Sequence, residues 1–237
     1  MNFRNSFIWK ALCVGLVIIL LAPTFCLAAL TKTETTQALE WTEIAQAGIL
    51  ETGSIDVSDA YSAILHIDCC LSSTTAHTGT EIIVQIASEA GVDDAWTDLT
   101  KFVGPVGTAI TVPLTGAEAA AQTVLTVTDP VTNNLDNSGK SIFLEDPNTV
   151  AQCEIVYVTT NSGDAGDTIT ILDGLTHAHV AWDDFFDIDS ATVSAVSTTP
   201  IEVPMATSQA RVIFNNNYDA DGSTVHVRVR ITKCTGL

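Results

Sequence analysis

Alternation between apolar and polar residues is the feature that most constrains the fold of this chain. The segment 223–233 places valine or isoleucine at every second position from 225 to 231, and the segment 61–71 places an apolar residue at every second position from Ala63 to Leu71. Side chains in a strand point to the two faces in turn, so each segment predicts a strand with one buried face. Similar runs recur every 8–15 residues, with hairpin dipeptides at Asp173-Gly174 and Asp221-Gly222. The pattern predicts an all-β protein, an antiparallel β-sandwich of the jelly-roll or immunoglobulin-like kind with a small inserted β-barrel-like domain.

The N-terminal segment 1–28 has the order of a secretory signal peptide. Arg4 and Lys10 precede an apolar run of twelve residues, ALCVGLVIILLA, and small residues at Cys26 and Ala28 suit cleavage after Ala28. The run is shorter than the roughly 20 residues that span a bilayer. We therefore expect a secreted protein, extracellular or at the cell surface, that is not embedded in a membrane after cleavage. A retained N-terminal anchor is the alternative.

Composition divides the remainder of the chain. Residues 29–115 and 199–237 are rich in clean strand patterns, whereas residues 116–198 hold thirteen acids and one cation, Lys140. This predicts one sandwich domain, built from 29–115 plus 199–237, with an acidic β-domain at 116–198 inserted between its strands. Two sequential domains that split near residue 115 are the alternative. Only residues 116–122, GAEAAAQ, have a helical pattern.

The net charge excludes several partners. The whole chain has a formal charge of −19, and loss of residues 1–28 leaves 7 basic and 28 acidic residues, a charge of −21. Such an excess of acid argues against binding to nucleic acid or to an anionic membrane surface. Four of the seven cations lie near the C-terminus: Arg211, Arg228, Arg230 and Lys233.

Four cysteines remain after the signal segment, and four cysteines allow three disulfide pairings. If the strands 61–71 and 223–233 are neighbours, Cys70 and Cys234 share an outer, polar face, where Asp68 can also meet an arginine. This favours a Cys70–Cys234 bond and leaves Cys69, which faces inward, for Cys153. Two disulfides would suit an exported protein.

Four further segments carry a resemblance: AHTGTEIIVQI at 76–86, SIFLED at 141–146, LDGLTH at 172–177 and RVIFNNNYDADGSTV at 211–225. They resemble an uncharacterised group of β-rich proteins found among phage and prophage structural genes. The resemblance implies a self-assembling module of a shell or fibre, and it brings no catalytic residues. A signal peptide departs from that setting, because virion proteins assemble in the cytoplasm.

Candidate metal ligands lie in the acidic segment. Carboxylates cluster at Asp183, Asp184, Asp187 and Asp189, and such clusters supply the oxygens that calcium prefers. His177 and His179, two residues apart on a predicted strand near 176–181, would put two imidazoles on one face beside these acids, as in a zinc or copper site. A solvated acidic loop is the alternative. For Asp219 and Asp221 a hairpin turn is the stronger interpretation than a calcium loop, because the EF-hand pattern is not completed.

The absence of GxSxG, HExxH, Walker and GxGxxG motifs favours a non-enzymatic function. We expect a secreted structural subunit that assembles with its own copies into an extracellular filament, sheath or surface layer. Assembly would use a strand donated from residues 29–40, which otherwise form a disordered tail, or contacts between the C-terminal cations and the acidic domain of the next subunit. A secreted carbohydrate- or ligand-binding module, with Trp96 and Trp182 on one flat face, and a phage-derived virion-type protein are the alternatives.

Overall fold

A computed structural model describes residues 31–32, 36–89, 96–127, 139–161, 168–181, 183–188, 195–217 and 223–235. Within these ranges the regular structure is sixteen strands and one 3-10 turn, and no described helix is long and apolar enough to cross a membrane. The strands pair antiparallel, which confirms the all-β prediction. Their bounds are β1 Thr31–Lys32, β2 Thr36–Ile44, β3 Ile49–Glu51, β4 Ile55–Asp56, β5 Ala60–Leu71, β6 Glu81–Ala87, β7 Thr97–Val103, β8 Ala109–Pro113, β9 Val124–Thr126, β10 Lys140–Glu145, β11 Glu154–Asn161, β12 Thr168–Ile171, β13 Asp184–Ile188, β14 Val196–Val203, β15 Gln209–Asn215 and β16 Val225–Thr235.

The first sheet has the order β1-β16-β5-β14, with β2 also paired to β16. Its centre is the antiparallel pair β5 and β16, in which Arg228 lies opposite Asp68. The two strands with the clearest alternation are therefore neighbours, which is the condition on which the expected contact between Asp68 and an arginine depended. Their apolar faces, such as Leu65 on β5 and Val229 on β16, are fully buried.

The second sheet, β3-β15-β6-β7 with β4 also on β15, covers this apolar face. Its inward residues, including Val84 on β6 and Phe214 on β15, share one buried cluster with those of the first sheet. Two sheets with alternating inward residues on either side of a common core make a β-sandwich.

The third sheet closes on itself. Its order is β8-β13-β10-β11-β12-β9, and a bridge between Leu114 and Val127 joins the chain after β8 to the chain after β9. The amide of Thr115 also donates to the carbonyl of Thr126 at 2.9 Å. A separate apolar cluster fills the interior, which gives this sheet the form of a small barrel.

The barrel packs against the outer face of the first sheet. The ring of Phe143 on β10 lies 5.2 Å from Trp41 on β2 and 5.1 Å from His226 on β16, between ring centroids. The burial of residues along β5 reflects this contact. Buried and partly exposed residues alternate from Ala63 to His66, whereas every residue from Ile67 to Leu71 is buried.

Two expectations for local structure were wrong. Residues 36–40 belong to β2 and residues 31–32 form β1, and both strands pair with β16 of the same chain. The described part of 29–40 is thus neither a tail nor a strand free for donation. Residues 116–122 form a bridge and a turn rather than a helix, because the backbone of Glu118 bonds to His179 in both directions at 2.9 Å.

The disulfide prediction was also wrong. Cys70 lies opposite His226, whereas Cys234 lies opposite Ser62, eight residues away along β5. That offset is about 26 Å at 3.3 Å per residue, and a disulfide needs Cα atoms within about 7 Å. The thiol of Cys69 faces Gly104 beside the second sheet, while that of Cys153 contacts Asp146 in the barrel. All four thiols are free.

Candidate metal centre

Three buried carboxylates converge at one end of the barrel because of strand register. Leu144 faces the barrel interior, and Asp146, two residues further on, continues on the same side. Glu154 lies opposite Leu144 on β11. Glu145 pairs with Asp184, so the next pair in the antiparallel register is Asp146 with Asp183. Asp146, Glu154 and Asp183 are each under 10 % exposed.

His179 fills the space between these acids. Its backbone is held by the two bonds to Glu118, and its ring is fully buried. Nε2 of the ring lies 2.9 Å from Oε1 of Glu154, and Nδ1 lies 3.0 Å from Oδ2 of Asp183. Both ring nitrogens thus face a carboxylate.

Main-chain amides fix the three carboxylates in place. Glu154 accepts the amides of Thr176 and His177 at 2.9 and 3.3 Å. Oδ2 of Asp183 accepts the amide of Val180 at 3.1 Å. Oδ1 of Asp146 accepts two amides at 2.9 Å each, those of Asn148 and Thr149. The acids are therefore positioned before any ligand arrives.

Burial and charge act on the pKa values in opposite directions here. Burial lowers the pKa of His179, but its bonds to Glu154 and Asp183 outweigh that effect and hold the pKa above its usual value. For Glu154 burial raises the pKa, but the hydrogen bonds from His179 and from two amides outweigh that effect and bring the pKa below its usual value. Two neighbouring acids, Asp184 and Glu145, have a raised pKa, mainly because they are buried and secondly because other acids lie nearby. The pKa of Glu145 rises to about 7.

The ligand atoms of Asp146, His179 and Asp183 lie within 4.8 Å of one another. One imidazole nitrogen and two carboxylates are donors that hold divalent metal ions in proteins. The geometry is therefore that of a candidate metal centre.

The sequence identified this centre only in part. Asp183 and His179 belong to it, whereas Asp184 lies on the other side of its strand and His177 contributes only a backbone amide. The predicted strand near 176–181 is no more than a bridge at His179. The side chain of Asp187 and the whole of Asp189, Trp182, Asp219 and Asp221 lie outside the described residues.

Asp146 and Glu154 were missed, since they lie far from His179 in the chain. One indication was present in the sequence: Ile142 and Leu144 alternate inward, and the next inward position is an aspartate.

A second buried ionic cluster lies on the outer face of the first sheet. Asp68 is fully buried, and its Oδ2 accepts from Arg228 Nε at 2.9 Å and from Arg230 at 3.2 Å. Its Oδ1 accepts the hydroxyl of Thr198 at 3.0 Å. The expected contact between Asp68 and an arginine is confirmed, with two arginines in place of one.

The remaining cations proposed for assembly also have partners in their own chain. Arg211 pairs with Glu51 at 2.7 Å, and Lys233 pairs with Asp59 at 3.1 Å. The Arg211 guanidinium also lies 4.2 Å from the centre of the Trp96 ring, so one face of that ring is covered. Trp96 is thus not a bare aromatic platform for a sugar.

In comparisons with known proteins, no family model and no curated protein matches this chain. Among solved structures it is similar to VP2 of infectious bursal disease virus in a subviral particle, at 7% identity and a TM-score of 0.21. A structure of T=1 particles derived from infectious bursal virus gives 7% identity and a TM-score of 0.20. Each match covers 86% of this chain and 40% of the viral chain. At these TM-scores the likeness carries no argument about fold or function.

Proposed function

We propose that this chain is an exported, non-enzymatic structural subunit that assembles with its own copies into an extracellular filament, sheath or surface layer. One observation supports the proposal. In the described part of the chain, β7 has β6 as its one partner and so ends the second sheet with an open backbone edge. An open edge pairs readily with a strand of another chain.

Apolar side chains flank this edge. Val103 at the end of β7 is 56 % exposed, and Val106 just beyond it is 50 % exposed. Both valines lie beside Gly79, so they belong to one small patch. One of the other terminal strands, β14 at an end of the first sheet, carries Pro200, a residue that blocks edge pairing. The β7 edge, with its two valines, is therefore a better surface for a second copy than the β14 edge.

Ionic contacts between copies have less support than edge pairing, because the C-terminal cations are matched within the chain. Copies of a chain whose charge is −21 after loss of residues 1–28 repel one another. We therefore expect added salt to favour assembly by screening this repulsion, the reverse of the expectation for a basic strand that meets an acidic neighbour.

The test is sedimentation velocity and negative-stain microscopy of the purified protein as its concentration rises. Regular polymers are expected for the wild type, and Val103→Asp with Val106→Asp should abolish them. Leu172→Asp is the control, because Leu172 is 61 % exposed on the barrel, away from β7. Circular dichroism establishes that each variant is folded. A wild type that stays monomeric at high concentration in both low and high salt would overturn the proposal.

A further inference from the structure

We propose that Asp146, His179 and Asp183 bind a divalent transition-metal ion of the zinc class, with Glu154 orienting the His179 ring. The inference goes beyond assembly and does not depend on it. It rests on the charge balance at the barrel end, on the placement of the His179 ring between two carboxylates and on the spacing of the donor atoms.

The barrel end holds more negative charge than its partners neutralise. Asp146, Glu154 and Asp183 bring three carboxylates, and the partners described for them are main-chain amides and one imidazole. With His179 protonated the cluster still carries two excess negative charges. Buried charges without compensation are costly, so a divalent cation would restore the balance.

The placement of the His179 ring points the same way. Its two nitrogens lie within 3.0 Å of carboxylate oxygens of two different residues. With Nε2 directed at Glu154, Nδ1 and Oδ2 of Asp183 face each other as two ligand atoms that one cation can share.

The spacing suits a metal. Two ligands about 2.1 Å from a tetrahedral zinc ion lie about 3.4 Å apart, and the Nδ1 to Oδ2 distance is 3.0 Å. The Glu154–His179–metal arrangement matches the carboxylate–histidine pairs that orient ligands at zinc sites. Three protein ligands leave a fourth position for water.

The donor set selects the class of ion. Calcium takes six to eight oxygen ligands and has little use for an imidazole nitrogen. Nitrogen with carboxylate oxygens suits zinc and the neighbouring first-row ions. We therefore assign Asp183, one of the acids of the predicted calcium cluster, to a mixed site that also draws on Asp146, which follows β10.

The test is isothermal titration of the chelator-treated protein with Zn²⁺ and, separately, with Ca²⁺. One equivalent of Zn²⁺ should bind and raise the melting temperature, and Ca²⁺ at the same concentration should do neither. Co²⁺ in place of Zn²⁺ should give the visible absorption of a tetrahedral site.

Matched variants distinguish this site from the general acidity of the chain. Asp146→Asn keeps Oδ1 for the amides of Asn148 and Thr149 but removes the charge, and it should weaken Zn²⁺ binding by at least tenfold. Asp173→Asn, on an exposed acid of the same region, should leave binding unchanged. His179→Gln provides a second variant if Asp146→Asn does not fold.

Two results would overturn the proposal: no stoichiometric Zn²⁺ binding by the wild type, or equal binding by Asp146→Asn and Asp173→Asn. The first would assign His179 as a doubly protonated bridge between Glu154 and Asp183.

Discussion

The two buried ionic clusters of this protein are built alike and balanced differently. On the first sheet one carboxylate, Asp68, meets two guanidiniums. At the barrel end three carboxylates surround one imidazole, that of His179. Asp68 lies on β5 and Glu154 on β11, whereas Asp146, His179 and Asp183 lie outside the named strands.

The difference shows that the burial of acidic side chains does not by itself identify a metal-binding site. Asp68 is fully buried, but two guanidiniums within 3.2 Å more than neutralise its charge, so it belongs to a structural ion cluster. At the barrel end the described contacts leave the carboxylates in excess. Removal of a carboxylate should therefore have opposite consequences in the two clusters.

The largest effect is expected at Asp68. Asp68→Asn leaves Arg228 and Arg230 facing each other without their counter-charge, and it should lower the free energy of unfolding by about 3 kcal/mol. Urea denaturation measures this. Asp59→Asn, which breaks the exposed pair with Lys233, is the control and should cost about 0.5 kcal/mol or less. Equal losses in the two variants would mean that the Asp68 cluster contributes no more than a surface pair.

The second effect contrasts the two buried histidines. His226 has a hydroxyl partner, Ser72, at 2.8 Å and Glu145 only at 3.5 Å, and burial lowers its pKa to about 4. In the unfolded chain His226 therefore takes up a proton below about pH 6.5, whereas in the folded chain it does so only near pH 4. His226 thus lowers stability as the pH falls through this window, by about 2 to 3 kcal/mol between pH 7 and pH 4.5.

Glu145 titrates in the same window with the opposite sign, because burial raises its pKa to about 7. The measurement is therefore the difference between the wild type and His226→Gln in urea denaturation at pH 7 and pH 4.5. The wild type should lose more stability than the variant on acidification. The same loss in both proteins would show that His226 is not the group responsible.

The smallest effect is expected at the barrel end. In chelator, Asp146→Asn removes one of the excess charges and should raise the free energy of unfolding by about 1 kcal/mol, since it keeps the amide contacts. Thermal unfolding with and without Zn²⁺ measures this. With Zn²⁺ present, the wild type should become more stable than Asp146→Asn. A loss of stability in chelator, as at Asp68, would place both clusters in the same structural class.

Much of the fold could be predicted from local patterns. The alternation in β5 and β16 predicted their inward faces and, if the two strands were neighbours, the contact between Asp68 and an arginine. It could not predict their register, since shifts of two residues preserve every face assignment. For that reason Cys70 and Cys234 share a face but lie too far apart to bond.

The candidate site was predictable only where its residues are close in the chain. Asp183 and His179 lie four residues apart, and the sequence indicated both as candidate metal ligands. Asp146 and Glu154 reach them through the pairing of β10 with β13 and β11. No local signal encodes that pairing.

The sequence by itself determined that this is an all-β chain with strongly acidic character, because strand periodicity and charge are properties of single segments. Only the tertiary structure decided which polar face is buried. The outer side of β5 is partly exposed at His66 and fully buried at Cys70, because the barrel covers one end of that face and leaves the other open. The same packing of distant segments brought one acid against two arginines and gathered three others around a single imidazole.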